Sequence, residues 1–162
     1  MKSENRIPEN CAFTYQHSTP DLAQTTGADP AVGPLGFMNG GLQVVNPCTA
    51  IYNQIVAHME ADAVNMDFAD QSLLSDLYRS RWVPLPYIYN ALKTLRRDDV
   101  HAPIWRDNRV KNVHYILAPK PWDEVDAEGR NVSLDPTHEW WVDVNGERLA
   151  WEGENGVKVD GF

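Results

Sequence analysis

The chain has 162 residues and a formal net charge of −9. This length fits one domain, and a domain of this size buries about 70% of its unfolded surface. The acidic surplus argues against a nucleic-acid binder, which needs clustered Lys and Arg. No apolar run approaches the roughly 20 residues that cross a bilayer, and residues 1–6 lack an apolar signal core. We therefore expect a cytoplasmic protein in which Cys11 and Cys48 are reduced thiols.

The first half predicts an irregular segment followed by a strand and a helix. Prolines interrupt residues 1–36 and prevent regular structure. Residues 42–45 form an apolar run that predicts a short strand. Asn46 and Pro47 predict a helix start, because proline suits the first turn. The helix should run to about Ala61 and bury one apolar stripe, namely Ile51, Ile55, Val56 and Met59.

Later elements are predicted in the same way. A second helix should carry the apolar stripe Leu73, Leu74, Leu77 and Tyr78. Residues 88–97 fit either helix or strand, and residues 110–117 read as a buried strand. Asp135 and Pro136 predict the start of a short helix, and residues 153–162 a frayed end. Trp82 and Trp122 are expected in the core. Strands alternating with amphipathic helices favour an α/β fold with some parallel pairing.

Residues 110–122 contain the most informative chemistry. His114 lies near the end of the predicted strand, and Lys120 follows six residues later between Pro119 and Pro121. A strand-end histidine can bind a divalent cation, and a nearby lysine can bind an anion that the cation bridges. The alternative is an ordinary strand histidine and a surface lysine.

Several motifs in chain order resemble the family 8 glycosyltransferases over residues 35–122. They are Phe-Met-Asn-Gly-Gly at 37–41, Asn-Pro at 46–47, Asp67 to Gln71, Trp82, Leu-Pro-Tyr-Ile-Tyr-Asn at 85–90, Val-His at 113–114 and Lys-Pro-Trp at 120–122. The resemblance implies a GT-A type α/β fold. It also implies a UDP-sugar donor, a Mn²⁺ cofactor and transfer to an acceptor with retention at the anomeric carbon.

The resemblance assigns roles to individual residues. His114 matches the family's Mn²⁺ ligand, and Lys120 matches the lysine that contacts the donor diphosphate. Asp70 and Gln71 match the family's catalytic pair beside the sugar. A carboxylate there can stabilise positive charge at the anomeric carbon or attack that carbon, and the sequence leaves both open.

Four further positions are assigned to donor binding, each with an alternative. Asn39 can donate to a sugar hydroxyl, and Gly40 with Gly41 lets the backbone come close to a ligand; the alternative is that Gly40 and Gly41 form only a tight turn. Asp67 can contact the donor, or it is only a helix N-cap. Leu117 falls where relatives often have a glycine whose backbone contacts phosphate, which leaves the local turn in question.

The resemblance is partial. Before Asn39 there is no Asp-X-Asp triplet, so the nucleotide-binding half of the family's fold is not matched. We expect an irregular segment at 1–36, the C-terminal half of a glycosyltransferase domain at 37–125, and an extension at 126–162. Such a truncated form should have little activity alone. The alternative is a non-catalytic interaction or scaffolding module. Either form could associate, as a homo-oligomer or otherwise, through an exposed sheet edge.

Overall fold

The computed structural model of the protein describes residues 11–29, 38–62 and 69–157, and the side chains of all of these except 62 and 69. The chain divides into two compact units, Met1–His114 and Tyr115–Phe162. The first unit contains helix α1 (Ala12–Tyr15), helix α2 (Thr49–Asp62), helix α3 (Ala69–Leu77) and strands β1 (Ala91–Leu92) and β2 (Val113–His114). The second unit contains helix α4 (Pro136–Glu154). No helix in the described parts of the chain is long and apolar enough to span a membrane.

The core of the first unit is organised around Tyr87. This side chain is 3% exposed, and its hydroxyl lies 3.1 Å from both the Gln24 side-chain oxygen and the Ile104 carbonyl oxygen. The Arg106 backbone N–H donates to the same hydroxyl at 2.9 Å. Gln24 in turn donates to the Ile104 carbonyl at 2.7 Å. Every buried polar atom named here has a partner. The 3₁₀ turn at Leu22–Gln24 can therefore pack on residues 87–106 without leaving one of these groups unsatisfied.

Strands β1 and β2 form a parallel pair, with Ala91 opposite Val113 and Leu92 opposite His114. The loop before β2 is anchored by two N–H groups, of Lys111 and Asn112, which donate to the Ile88 carbonyl at 2.8 and 3.1 Å. This pairing places His114 at the carboxyl end of a short parallel ladder. Ligands of open α/β sheets commonly bind at that end.

The second unit is built around a buried histidine. His138 on α4 is fully buried, and its Nδ1 lies 2.9 Å from Oε2 of Glu124. The Ser133 hydroxyl donates to the same carboxylate oxygen at 2.5 Å. The Tyr115 ring contacts the His138 ring edge-on at 5.7 Å, and its hydroxyl donates to the Thr137 carbonyl at 2.8 Å. Burial raises the pKa of Tyr115 to about 12, helped by the charge of Asp135, so the hydroxyl remains a donor.

The mixed helix and strand content that the sequence predicted is confirmed, but one predicted strand is wrong and another is shorter than predicted. Residues 42–45 form no strand, and Val44 and Val45 are 82% and 70% exposed. An apolar run becomes a strand only where a neighbour accepts its backbone hydrogen bonds, and in the described parts of the chain only β1 and β2 pair as strands. The strand predicted over 110–117 forms only at Val113–His114, and it cannot extend through Leu117, whose φ is 64°.

The helix predictions are confirmed in position and are partly wrong in extent and burial. Helix α2 begins at Thr49, later than Pro47, and Met59 on its predicted buried stripe is 46% exposed. Helix α4 has 19 residues and is not short. Its start is as predicted, because Asp135 caps it by accepting from the Thr137 N–H and Pro136 occupies the first turn.

Three further expectations have different outcomes. Trp122 is 50% exposed and packs on Trp141 with ring centroids 5.9 Å apart, so placing it in the core was wrong. Trp82 is half-buried. Residues 88–97, left open between helix and strand, contain both a 3₁₀ turn at Lys93–Arg96 and strand β1. The boundaries proposed at 36 and 125 stay predictions.

Candidate functional site

A tight turn at Gly40 and Gly41 is the centre of the candidate site. The Gly41 N–H donates to Oδ1 of Asn39 at 2.9 Å, and the Gly40 N–H donates to Oε1 of Gln71 at 3.0 Å. Asn90 donates its side-chain amide to the same Oδ1 of Asn39 at 3.0 Å. Because Oδ1 of Asn39 accepts both hydrogen bonds, the donor of this side chain is its amide nitrogen. These bonds connect the turn to α3 and to the start of β1.

Asp70 and His114 lie against the two glycines from different elements. A Cβ on Gly40 would be 3.3 Å from Oδ2 of Asp70, and a Cβ on Gly41 would be 2.6 Å from Nδ1 of His114. The second distance is shorter than real Cβ contacts, so any side chain at 41 would force the imidazole or the turn to move. Asp70 is in the first turn of α3, and His114 ends β2. The turn therefore brings a carboxylate and an imidazole to neighbouring points of one surface.

The structure brings five of the predicted site residues together: Asn39, Gly40, Asp70, Gln71 and His114. Asp70 is exposed, so a ligand could reach it, whereas His114 is half-buried and its Nδ1 is shielded from solvent. Asp67 lies outside the described residues. The roles assigned to these residues stay predictions.

Leu117 and Lys120 belong to the second unit. Leu117 is 63% exposed with φ of 64°, a left-handed conformation in which glycine is favoured. The Lys120 ammonium donates to the Tyr115 carbonyl, and the Lys120 N–H donates to Oδ2 of Asp123 at 3.1 Å. The ammonium is thus folded back over its own loop.

Asn90 is a site residue to which the sequence assigned no role, and Gly41 was considered only as a small residue of the turn. Both lie inside motifs that the family resemblance uses, at 85–90 and 37–41. Asn90 directly precedes β1 and hydrogen-bonds Asn39, while Gly41 makes room for His114. A polar residue at a strand start and the second of two glycines were the only signals that could have identified them.

The described residues do not form a complete cation site. Nowhere among residues 11–29, 38–62 and 69–157 do three or more His, Cys, Asp or Glu side chains group as metal ligands. Mn²⁺ sites normally use several oxygen or nitrogen ligands. Of the expected set, the described part of this chain offers the His114 imidazole alone.

A cavity of about 1000 Å³ in the first unit adjoins the candidate site. It shares Asn39 and Asn90 with that site, and most of its walls are apolar, formed by residues such as Ile51, Ile55 and Leu74. Its volume lies at the upper end of the range for small-molecule pockets, about 300–1,000 Å³.

Comparison with known proteins identifies sugar-transferring relatives. The chain is 28% identical to galactinol synthase 2 of Solanum lycopersicum over 91% of its own length and 44% of that protein. It is 26% identical to galactinol synthase 3 of Arabidopsis thaliana, over 90% of the chain and 45% of the relative. With glycogenin of Neurospora crassa the identity is 25%, over 75% of the chain and 18% of the relative.

These matches confirm the resemblance to the family 8 glycosyltransferases, to which galactinol synthases and glycogenin are assigned. The chain spans less than half the length of these curated relatives. No family model matches the sequence, and no solved structure matches it.

Proposed function

We propose that this chain contributes the sugar-binding part of a family 8 type hexosyltransferase with a GT-A type fold. The complete enzyme would transfer a sugar from a UDP-sugar to an acceptor, with retention and with Mn²⁺. The observation that carries the proposal is the convergence of Asp70, Gln71, Asn39 and His114 on the turn at Gly40 and Gly41. Those residues come from distant parts of the sequence, and they are the ones that the family motifs single out.

The side chains suit the chemistry at the donor sugar. Asp70 is exposed on a surface beside two amides, where its carboxylate could oppose positive charge at the anomeric carbon or form a bond to it. Asn39 and Gln71 are positioned by backbone N–H groups of the turn. Their amide nitrogens could then donate to sugar hydroxyls and orient the ring.

Lys120 is proposed to bind the donor diphosphate. Its ammonium now donates to the Tyr115 carbonyl. Exchanging that neutral acceptor for a phosphate oxygen would pair the ammonium with a negative charge. The same charge would stabilise the leaving UDP.

Mn²⁺ remains part of the proposal only for a complete enzyme. When bound, it would neutralise negative charge on the diphosphate. This chain would contribute His114, and the other ligands would have to come from outside the described residues. We therefore also propose that substantial turnover needs, in addition to this chain, a counterpart of the region of its relatives that the chain does not match.

A transfer assay tests the proposal. The longest protein that the gene encodes would be supplied with labelled UDP-sugars, with Mn²⁺ or with a chelator. We expect Asp70→Asn and His114→Ala each to lower turnover about 100-fold, as the loss of a catalytic group or metal ligand usually does. Asp143→Asn, on an exposed face of α4, is the matched control and should retain activity. Full turnover in both site variants would refute the assigned roles.

Binding to the 162-residue chain supplies an independent test. With a single described metal ligand, the chain alone should bind UDP weakly and without a Mn²⁺ requirement. Calorimetry that found micromolar, metal-dependent affinity would contradict this expectation.

One observation favours the second candidate, a non-catalytic interaction module. Apolar side chains around the cavity mouth are exposed, notably Val44 at 82% and Val83 at 84%. Exposed apolar patches mark association sites. Light scattering beside a UDP-release assay separates the two candidates, because the module would form a defined complex and release no UDP under any condition.

A further inference from the structure

Cys11, His101 and His17 form a chain of contacts in the first unit, separate in chemistry from the candidate sugar site. The Cys11 sulfur lies 3.3 Å from Nε2 of His101, and Nδ1 of His101 lies 2.9 Å from Nε2 of His17. The residues are 90 and 84 positions apart in sequence. A nucleophile within hydrogen-bond reach of a base, with the base oriented by a third group, is the arrangement that activates thiols.

His101 is held in place on all sides that the structure describes. It is 4% exposed, and its carbonyl accepts from the N–H groups of Ile104 and Trp105. The Phe13 ring contacts its imidazole edge-on at 5.8 Å. Because these contacts constrain both the backbone and the ring of His101, its two ring nitrogens stay next to Cys11 and His17 without a further loss of side-chain entropy.

The protonation of His101 follows from its surroundings. Burial, together with the smaller effect of the nearby His17, lowers the pKa of His101 to about 4. The imidazole is therefore neutral near pH 7, with one nitrogen donating and the other accepting. If Nδ1–H donates to His17, then Nε2 accepts from the Cys11 thiol. This tautomer satisfies every group in the chain of contacts.

A neutral His101 can relay a proton without holding positive charge. As Nε2 takes the thiol proton, Nδ1 passes its own proton to His17. The resulting imidazolium forms at the half-buried His17, where solvent reduces its cost, and not at the buried His101. The thiolate, which is the nucleophilic form of cysteine, is left on Cys11.

The thiol also has space for a ligand. Cys11, Ala12 and Phe13 are part of the wall of the 1000 Å³ cavity, together with apolar side chains such as Leu74 and Leu85. An apolar chain that entered this cavity would bring an attached reactive carbon towards the sulfur. Burying each methylene contributes about 0.8 kcal/mol, so long chains are favoured over short ones.

We propose that Cys11 is a nucleophilic thiol that takes an apolar acyl group from a thioester, with His101 and His17 as its proton relay. The sulfur forms a bond to the acyl carbon, and the carbon–sulfur bond to the donor thiol breaks. The proton that leaves Cys11 through His101 to His17 is returned to the departing thiolate. The products are S-acylated Cys11 and a free thiol, so atoms and charge balance.

Cys48 supplies a matched control within the same chain. It is more exposed than Cys11, it also lines the cavity, and its sulfur accepts from the Ile51 N–H and contacts no imidazole in the described parts of the chain. Exposure alone would therefore make Cys48 the faster thiol. A relay would make Cys11 faster.

The test uses the 162-residue chain and two probes, decanoyl-coenzyme A and acetyl-coenzyme A, with peptide mass spectrometry to measure acylation of each cysteine. We expect Cys11 to be acylated at least about tenfold faster than Cys48, and faster by decanoyl than by acetyl. His17→Gln should slow Cys11 about tenfold and leave Cys48 unchanged. His17 is chosen because it is half-buried, whereas a His101 variant could disturb folding.

Three results would overturn the proposal: equal or slower acylation of Cys11, no chain-length preference, or an unchanged rate in His17→Gln. Iodoacetamide labelling gives a second measurement that needs no acyl donor. Rapid alkylation of Cys11 that also depends on His17 would support the relay, and alkylation independent of His17 would refute it. Neither measurement requires a sugar nucleotide, so failure here leaves the proposed transferase function unaffected.

Discussion

Polar side chains are arranged differently in the two units. In the unit 1–114, the candidate site keeps Asp70 exposed, and the amides of Asn39 and Gln71 are oriented by the backbone of a turn. In the unit 115–162, Glu124 and His138 face each other at 2.9 Å with the imidazole fully buried. The first arrangement leaves polar groups for a ligand. The second uses them to hold an element in place, since buried polar groups must be paired.

Removing the buried imidazole of the second unit should have the largest effect. His138→Ala would leave a cavity beside Tyr115 and take the near neighbour from Glu124. We expect a loss of about 4 kcal/mol in the free energy of unfolding, as for other large-to-small core changes. Urea denaturation followed by intrinsic tryptophan fluorescence would measure it, because four of the six tryptophans lie in the unit 115–162.

His58→Ala is the control in the first unit. His58 faces Asp76 at 3.0 Å with side chains that are 27% and 49% exposed, and such solvent-screened pairs contribute little to stability. Equal losses in His58→Ala and His138→Ala would remove the contrast between the units.

Acid should destabilise the first unit through His101. Burial lowers the pKa of His101 to about 4 from the ordinary 6.5. As the pH falls, the imidazole is therefore protonated in the unfolded chain at a higher pH than in the folded chain. The free energy of unfolding is therefore highest above about pH 6.5. It falls by at most about 3 kcal/mol as the pH drops towards 4. Unfolding measured between pH 7 and pH 4 should show this slope, and His101→Gln should flatten it. An unchanged slope in the variant would contradict the assignment.

Gly41→Ala should disturb the candidate site. The added Cβ would lie 2.6 Å from the His114 ring and 3.0 Å from Oδ1 of Asn39, so the imidazole or the turn must move. We expect a loss of about 2 kcal/mol, typical of overpacking. A change in the His114 NMR resonances would report the displacement.

Gly146→Ala is the matched control on α4, where nothing lies within 4 Å of the added carbon. Alanine should stabilise this helix by about 0.5–1 kcal/mol relative to glycine. If Gly41→Ala and Gly146→Ala changed the free energy of unfolding in the same direction, the close approach of His114 to Gly41 would not explain the effect at position 41.

The smallest effect is expected at the start of α4. Asp135→Ala removes the carboxylate that accepts from the Thr137 N–H at 3.0 Å, with an expected cost of about 1 kcal/mol. Asp135→Asn preserves an acceptor and should cost less. Thermal unfolding of the two variants beside the parent chain would measure the difference, and equal melting temperatures for both would argue against a capping role.

The family motifs named residues that meet in the structure, whereas the apolar runs and aromatic residues were poorer guides to strands and to the core. Asn39, Asp70 and His114 were named from their motifs, and the structure places them around one turn. The strand at 42–45 failed because an apolar run does not specify a pairing partner, and pairing is what defines a strand. Trp122 failed because bulky aromatic residues are also common at half-exposed positions.

By itself the sequence determined the chemical types, their order and the places where chains must turn: the two glycines before the strand-like run, the Asp135–Pro136 helix start and the family motifs. Only the tertiary structure decided which of these groups meet. His114 approaches Gly41 across 73 positions, and Cys11 approaches His101 across 90, because packing brings distant segments together and one sequence carries no record of those distances.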